Sequence, residues 1–215
     1  MAVNENLNKN YELFGKNYEN LFLEIAGREL GEVARNTSAN IISKDKLILD
    51  FFEIKVMVDM SEKKIFNFFS RSENGTLTPL DLFTSTIILH FLITANGTQL
   101  TGEWISYRDL PGGLFYASTI SGVLQPLVKK YESSGIKFIE KLVKSGGEVN
   151  KSFKFTATVY PFKRFPVLFI LDEKDEEFEA GMRVLFDSSA RHYLKTDVIK
   201  ILLIYMIGKF LALDF

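Results

Sequence analysis

The run LILDFFEIKVMVDM, Leu47 to Met60, sets the strongest limit on what this chain can fold into. It is crowded with β-branched and aromatic residues, which fit a pleated surface and lose rotamer freedom in a helix. A second such run, KKIFNFF from Lys63 to Phe69, follows the polar pair Ser61-Glu62, and together they predict a β-hairpin. The same chemistry returns in KFTATVY (Lys154 to Tyr160), PVLFIL (Pro166 to Leu171) and GMRVLF (Gly181 to Phe186), which predict three more strands.

The remaining apolar residues follow a helical period. Leu13, Tyr18, Leu21, Phe22 and Ile25 predict an amphipathic helix from Asn8 to about Ala26, stopped at Gly27, with a short helix over Arg28 to Arg35. Thr78-Pro79 reads as a cap followed by proline at the first helical position, opening an apolar, central helix from Leu80 to Ala95 that Asn96-Gly97 ends. A helix to about Tyr131 is expected to break or stop early at Pro126. In the next helix Ile136, Ile139, Leu142 and Val143 share one face, opposite Lys137, Lys141 and Lys144, and Gly146-Gly147 closes it. Thr196-Asp197 is expected to cap a buried C-terminal helix. Strands early, helices in the middle and strands late imply an α+β fold, a largely antiparallel sheet packed with a central apolar helix, and not alternating βαβ units. Without repeats or a linker, residues 1–215 read as a single domain, 1–36 forming an N-terminal helical segment.

Composition narrows the function. With Lys+Arg at 26 and Asp+Glu at 27, the chain lacks the basic footprint of nucleic-acid binding. The absence of cysteine removes thiolate nucleophiles, disulfides, iron–sulfur ligation and Cys-type zinc sites, and it suits the cytoplasm. The polar start MAVNENLNKN is unlike a secretory signal. Val198 to Leu213 is interrupted by Lys200 and Lys209 and falls short of the roughly 20 residues a membrane span needs, so no membrane partner is expected. Twenty phenylalanines predict an aromatic core, with a surplus that a homodimer or partner interface could use.

Four stretches could carry chemistry. Asp172, Glu173, Asp175, Glu176, Glu177 and Glu179 could offer oxygen ligands to a divalent ion, but they lack the spacing of a calcium loop, and a solvated turn between two strands explains them. In that turn Asp175 or Glu176 could point inward and hold Trp104 or Arg108. Asp187, Ser188, Ser189 and His192 imitate a triad, yet no nucleophile elbow is present; Asp187 is better read as a helix cap. His90, inside the apolar helix, reads as a core imidazole. The fourth stretch, GEWISYRDLPGGLFY, gathers the only tryptophan, Trp104, with Tyr107, Arg108, Gly112, Gly113 and Tyr116, the parts of a pocket for a planar or anionic ligand, or of a loop pinned by an arginine and an aromatic plug. No cofactor is named by any motif: glycine-rich nucleotide loops are absent.

LHFLITANGTQLTGEWISYRDLPGG, Tyr116, Gly146-Gly147 and DEEFEAGMRVLFDSSARHYL, in that order, resemble an uncharacterised bacterial and archaeal family known as domain of unknown function 3786. The resemblance spans most of the chain and is strongest from Leu89 onward. Trp104, Leu110, Pro111, Gly112, Gly113, Asp175, Glu176, Glu177, Phe178, Leu185, Phe186, Asp187 and Ser188 match its pattern, whereas Glu179 replaces a proline and Asp172 a tryptophan. It implies a protein typical of anaerobes, in a family some of whose members carry a Cys-rich iron–sulfur module and some of which accompany corrinoid-dependent methyl transfer. Residues and resemblance together predict a ligand-binding or accessory module whose Trp104–Gly113 loop faces the Asp175–Glu177 turn, with Asp187 in the site. The alternatives are a metal-dependent hydrolase or transferase using Asp175, Glu176, Asp187 and His192, or a structural homo-oligomeric subunit.

Overall fold

A computed structural model of the chain describes residues 17–72, 74–151 and 153–212. By their internal contacts the residues fall into two units, 1–98 and 99–215, and each carries its own antiparallel five-stranded sheet. The fold is α+β, as the order of the patterned segments predicts.

In the first unit the strands are β1 (Asn40–Ser43), β2 (Lys46–Phe51), β3 (Ile54–Asp59), β4 (Lys64–Arg71) and β5 (Leu77–Pro79), paired in sequence order as a meander. The predicted single strand Leu47–Met60 is two strands, because Phe52 adopts φ 52° and turns the chain back. Nothing in a run of apolar residues announces a phenylalanine in the left-handed region, which is costly for a side chain of this kind. The turn at Ser61-Glu62 is as expected: Asp59 Oδ1 accepts both backbone amides at 3.0 Å. Asp59 is buried, pairs across the ladder with Lys46 (2.8 Å), and takes the Ser61 hydroxyl at 2.6 Å. Burial pushes its carboxyl up, but these donors outweigh it and hold the group down at about 2.

The helices of this unit are α1 (Tyr18–Ala26), α2 (Leu30–Thr37) and α3 (Leu82–Thr94). The part of the predicted first helix from Asn8 to Lys16 lies outside the described residues. α1 buries Leu21, Phe22 and Ile25, packs on α3, and ends at Gly27. α3 is buried on nearly every side from Thr84 to Leu92, His90 being half-buried, as its apolar sequence requires. It does not begin at Thr78-Pro79, which form β5. Asp81 caps it instead, accepting the Thr84 amide at 2.9 Å and the Thr84 hydroxyl at 2.6 Å.

In the second unit the order is β6–β10–β9–β8–β7, with β6 Trp104–Ser106, β7 Glu148–Val149, β8 Thr156–Phe162, β9 Phe165–Asp172 and β10 Gly181–Asp187. The three predicted C-terminal strands form its centre. The helices are α4 (Ala117–Tyr131), α5 (Gly135–Lys144) and α6 (Thr196–Leu211). α4 continues through Pro126 rather than stopping there. Proline's φ suits a helix, the bond lost is the one to Gly122, and Leu124, Leu127 and Val128 bury both sides of the defect. In α5 the buried face is Phe138 and Leu142, while Ile136 and Val143, expected inward, are exposed. Thr196 does not cap α6 but stands in its first turn, donating its hydroxyl to the Pro111 carbonyl at 2.8 Å. The α6 core face is buried as expected, and its Phe210 meets the Phe169 ring edge-on at 5.5 Å.

Candidate functional site

Strand alternation builds the site. Along β9, Val167, Phe169 and Leu171 point to one face of the second sheet, and Leu168 and Ile170 to the other. The register sets Arg183 opposite Ile170, Leu185 opposite Leu168, and Asp187 opposite Trp104. Trp104, Arg183, Leu185, Leu168 and Ile170 therefore share a face, where they line a cleft of about 630 Å³. Phe153, Lys154 and Phe155 and the neighbouring run Asp172 to Asp175 complete its lining.

Each wall is fixed by its own contacts. Trp104 sits at the start of a strand of three residues, too short to hold itself. Asp187 anchors it: the buried carboxylate accepts the amides of Gly102 (2.7 Å), Thr101 (3.1 Å) and Ser189 (2.9 Å) and the Thr101 hydroxyl (3.0 Å). Burial opposes its ionisation, yet Ser189 and the amides of Thr101 and Gly102 more than offset this and hold its pKa below the ordinary aspartate range. Phe155 has φ 48°, and its ring lies over Gly135, where a Cβ would come within 2.4 Å of it. Glu173 accepts the Gly135 amide at 2.6 Å, tying the acidic turn to the start of α5, and the Lys174 amide donates to the Glu132 carbonyl at 2.8 Å.

The acidic turn is a solvated connection organised by its own backbone. Asp175 accepts the amides of Glu177 (2.9 Å) and Phe178 (2.7 Å), which hold its carboxyl below the usual range. Lys174 reaches both oxygens of Glu179, at 2.8 and 2.9 Å.

The structure brings part of the predicted site together. Trp104 and Asp175 line one cleft; Glu176 and Glu177 are exposed and stand outside its lining. Arg108 is exposed on the short 3-10 turn Tyr107–Asp109 and is also outside it. The guanidinium in the cleft belongs to Arg183 instead. Tyr107 is buried and donates its hydroxyl to the Thr196 carbonyl at 3.0 Å. Gly112, with φ 72°, and Tyr116 line a different cleft, of about 540 Å³, with Phe115, Arg191 and Lys195. Gly113 packs so tightly that a Cβ there would sit 2.0 Å from the Tyr107 carbonyl oxygen. Asp187 is the cap the sequence suggests. His192 lies in the 3-10 turn Ser188–His192, and among the described residues no three His, Asp or Glu side chains gather in a way that could hold a metal ion. Arg183, Lys154 and Phe155 escaped the sequence reading. Alternation with Leu185 would have found Arg183, whereas Phe155 depends on a backbone conformation with no local signal.

These features describe a cleft on one face of an antiparallel sheet within an α+β protein. The family model for "Domain of unknown function (DUF3786)" matches residues 29–209, and the chain belongs to that family. No curated protein and no solved structure matches the chain. Among the described residues no helix is long and apolar enough to cross a membrane.

Proposed function

We propose that this protein is a small-molecule binding module and that its site is the cleft between Trp104 and the acidic turn. The observation that carries the reading is the lining: an apolar floor of Leu168, Ile170 and Leu185, aromatic walls from Trp104 and Phe155, and charged groups only at the rim. A site of this make-up takes an apolar body by burial and stacking and uses its few polar groups for orientation. The resemblance adds a setting, an accessory role in anaerobic one-carbon or corrinoid metabolism in the cytoplasm, which the cleft's chemistry neither requires nor opposes.

The test uses N-phenyl-1-naphthylamine, a neutral probe that brightens in apolar sites. Saturable binding is expected for the wild-type protein. Leu185→Phe and Ile170→Phe, which fill the floor, should weaken it about tenfold or more. The reading is lost if the probe does not bind, or binds both variants as it binds wild type.

A further inference from the structure

The charged rim of the same cleft points to a ligand class, an inference that rests on the binding reading above. Three cations, Lys154, Lys174 and Arg183, and three carboxylates, Asp172, Glu173 and Asp175, face one another there. They are not equally committed. Asp175 is taken up by two backbone amides of its own turn, and Glu173 by the Gly135 amide. Lys174 is clasped by Glu179, which lies outside the lining.

What remains is Arg183, Asp172 and Lys154. Arg183 reaches Asp172 only at 3.4–3.5 Å, with both side chains more than half exposed, which is the geometry of a pair worth little in water. Lys154 lies 3.8 Å from Glu173 and 4.5 Å from the Phe155 ring centroid. Arg183 and Lys154 are thus the cations of the rim held only by long ion pairs, and they stand beside an apolar floor. A guanidinium presents a flat fork that matches a carboxylate and keeps its charge at any ordinary pH.

We infer that the cleft takes a small carboxylic acid with a flat apolar body, its carboxylate received by Arg183 in place of Asp172 and its body laid over Leu168, Ile170 and Leu185. Lys154, which lines the same cleft, supports the same charge. Asp172 then acts as a competitor for Arg183, so its removal strengthens binding.

Isothermal titration of the full chain with 2-naphthoate and with 2-naphthalenemethanol, which share a ring system and differ in charge, tests this. The wild-type protein is expected to bind the acid about tenfold more tightly than the alcohol. Arg183→Gln should erase that preference, the acid losing far more affinity than the alcohol, and Asp172→Asn should tighten the acid a few-fold. Equal affinity of wild type for the two compounds, or a preference that survives Arg183→Gln, overturns the inference and leaves the cleft reading intact. If neither compound binds and the neutral probe also fails, the cleft reading falls with it.

Discussion

Asp187, the last residue of β10, receives the Gly102 amide at 2.7 Å, so one carboxylate fastens the approach to Trp104 onto the end of the neighbouring strand. The donors that converge on Asp187 would lose their acceptor together if it were truncated. Asp187→Ala is expected to cost about 3 kcal/mol, since buried amides left without an acceptor carry most of that penalty. Chemical denaturation measures it. Because Trp104 is the only tryptophan, its emission in the still-folded variant should shift to longer wavelength as the strand loosens.

Asp59 gives the first unit an acid-sensitive point. Its folded carboxyl is held at about 2 against an ordinary 3.8, so the ionised form is favoured by folding. A depressed folded value adds stability that is complete above the unfolded value and disappears as pH falls through the folded one. The window is therefore from about pH 4 down to about pH 2, and the contribution above it is about 2 kcal/mol. Wild type and Asp59→Asn, compared by urea unfolding, should differ by about this amount at pH 7 and converge near pH 2.

Adjacent glycines in the Pro111-Gly112-Gly113 turn should respond differently to alanine. Gly112 has φ 72° and open space around it, so Gly112→Ala pays only for the backbone conformation, about 1 kcal/mol. At Gly113 the new methyl would meet the Tyr107 carbonyl at 2.0 Å, and backbone must move. Gly113→Ala should cost about 3 kcal/mol or more, and thermal melts of the two variants would show the order directly.

Gly135→Ala probes the cleft from behind. The added methyl would enter the Phe155 ring at 2.4 Å, and the ring is a wall of the cleft. Displacing it should weaken N-phenyl-1-naphthylamine binding severalfold although Gly135 itself is not in the lining. A variant that keeps full probe affinity would show that the Phe155 wall contributes nothing to binding.

The parts of the fold legible in the sequence are those where one period runs unbroken: the strands around Val159, Leu168 and Val184, the largely apolar α3, and the buried α6. What the sequence hides are local reversals. Phe52 and Phe155 turn the chain at positive φ with no glycine to mark the place, and Thr78-Pro79 carry a good helix-start signature that loses to pairing with β4. The candidate site was half legible for the same reason. Trp104 and Asp175 stand out as residue types in motifs, whereas Arg183 matters because of the face its strand register gives it. Arg108, one residue beyond the buried Tyr107, has the right chemistry and leaves the cleft because the chain curls into a 3-10 turn after Ser106.

Pro126 leaves α4 one rung short. The Gly122 carbonyl has no amide four residues on to bind, and Gly122 brings no side chain to stiffen the spot. The leading half of α4 follows directly on the 3-10 turn Gly113–Phe115, and its trailing half runs on toward α5 and the acidic turn. The gap thus falls within the helix that runs from beside one cleft toward the acidic turn of the other.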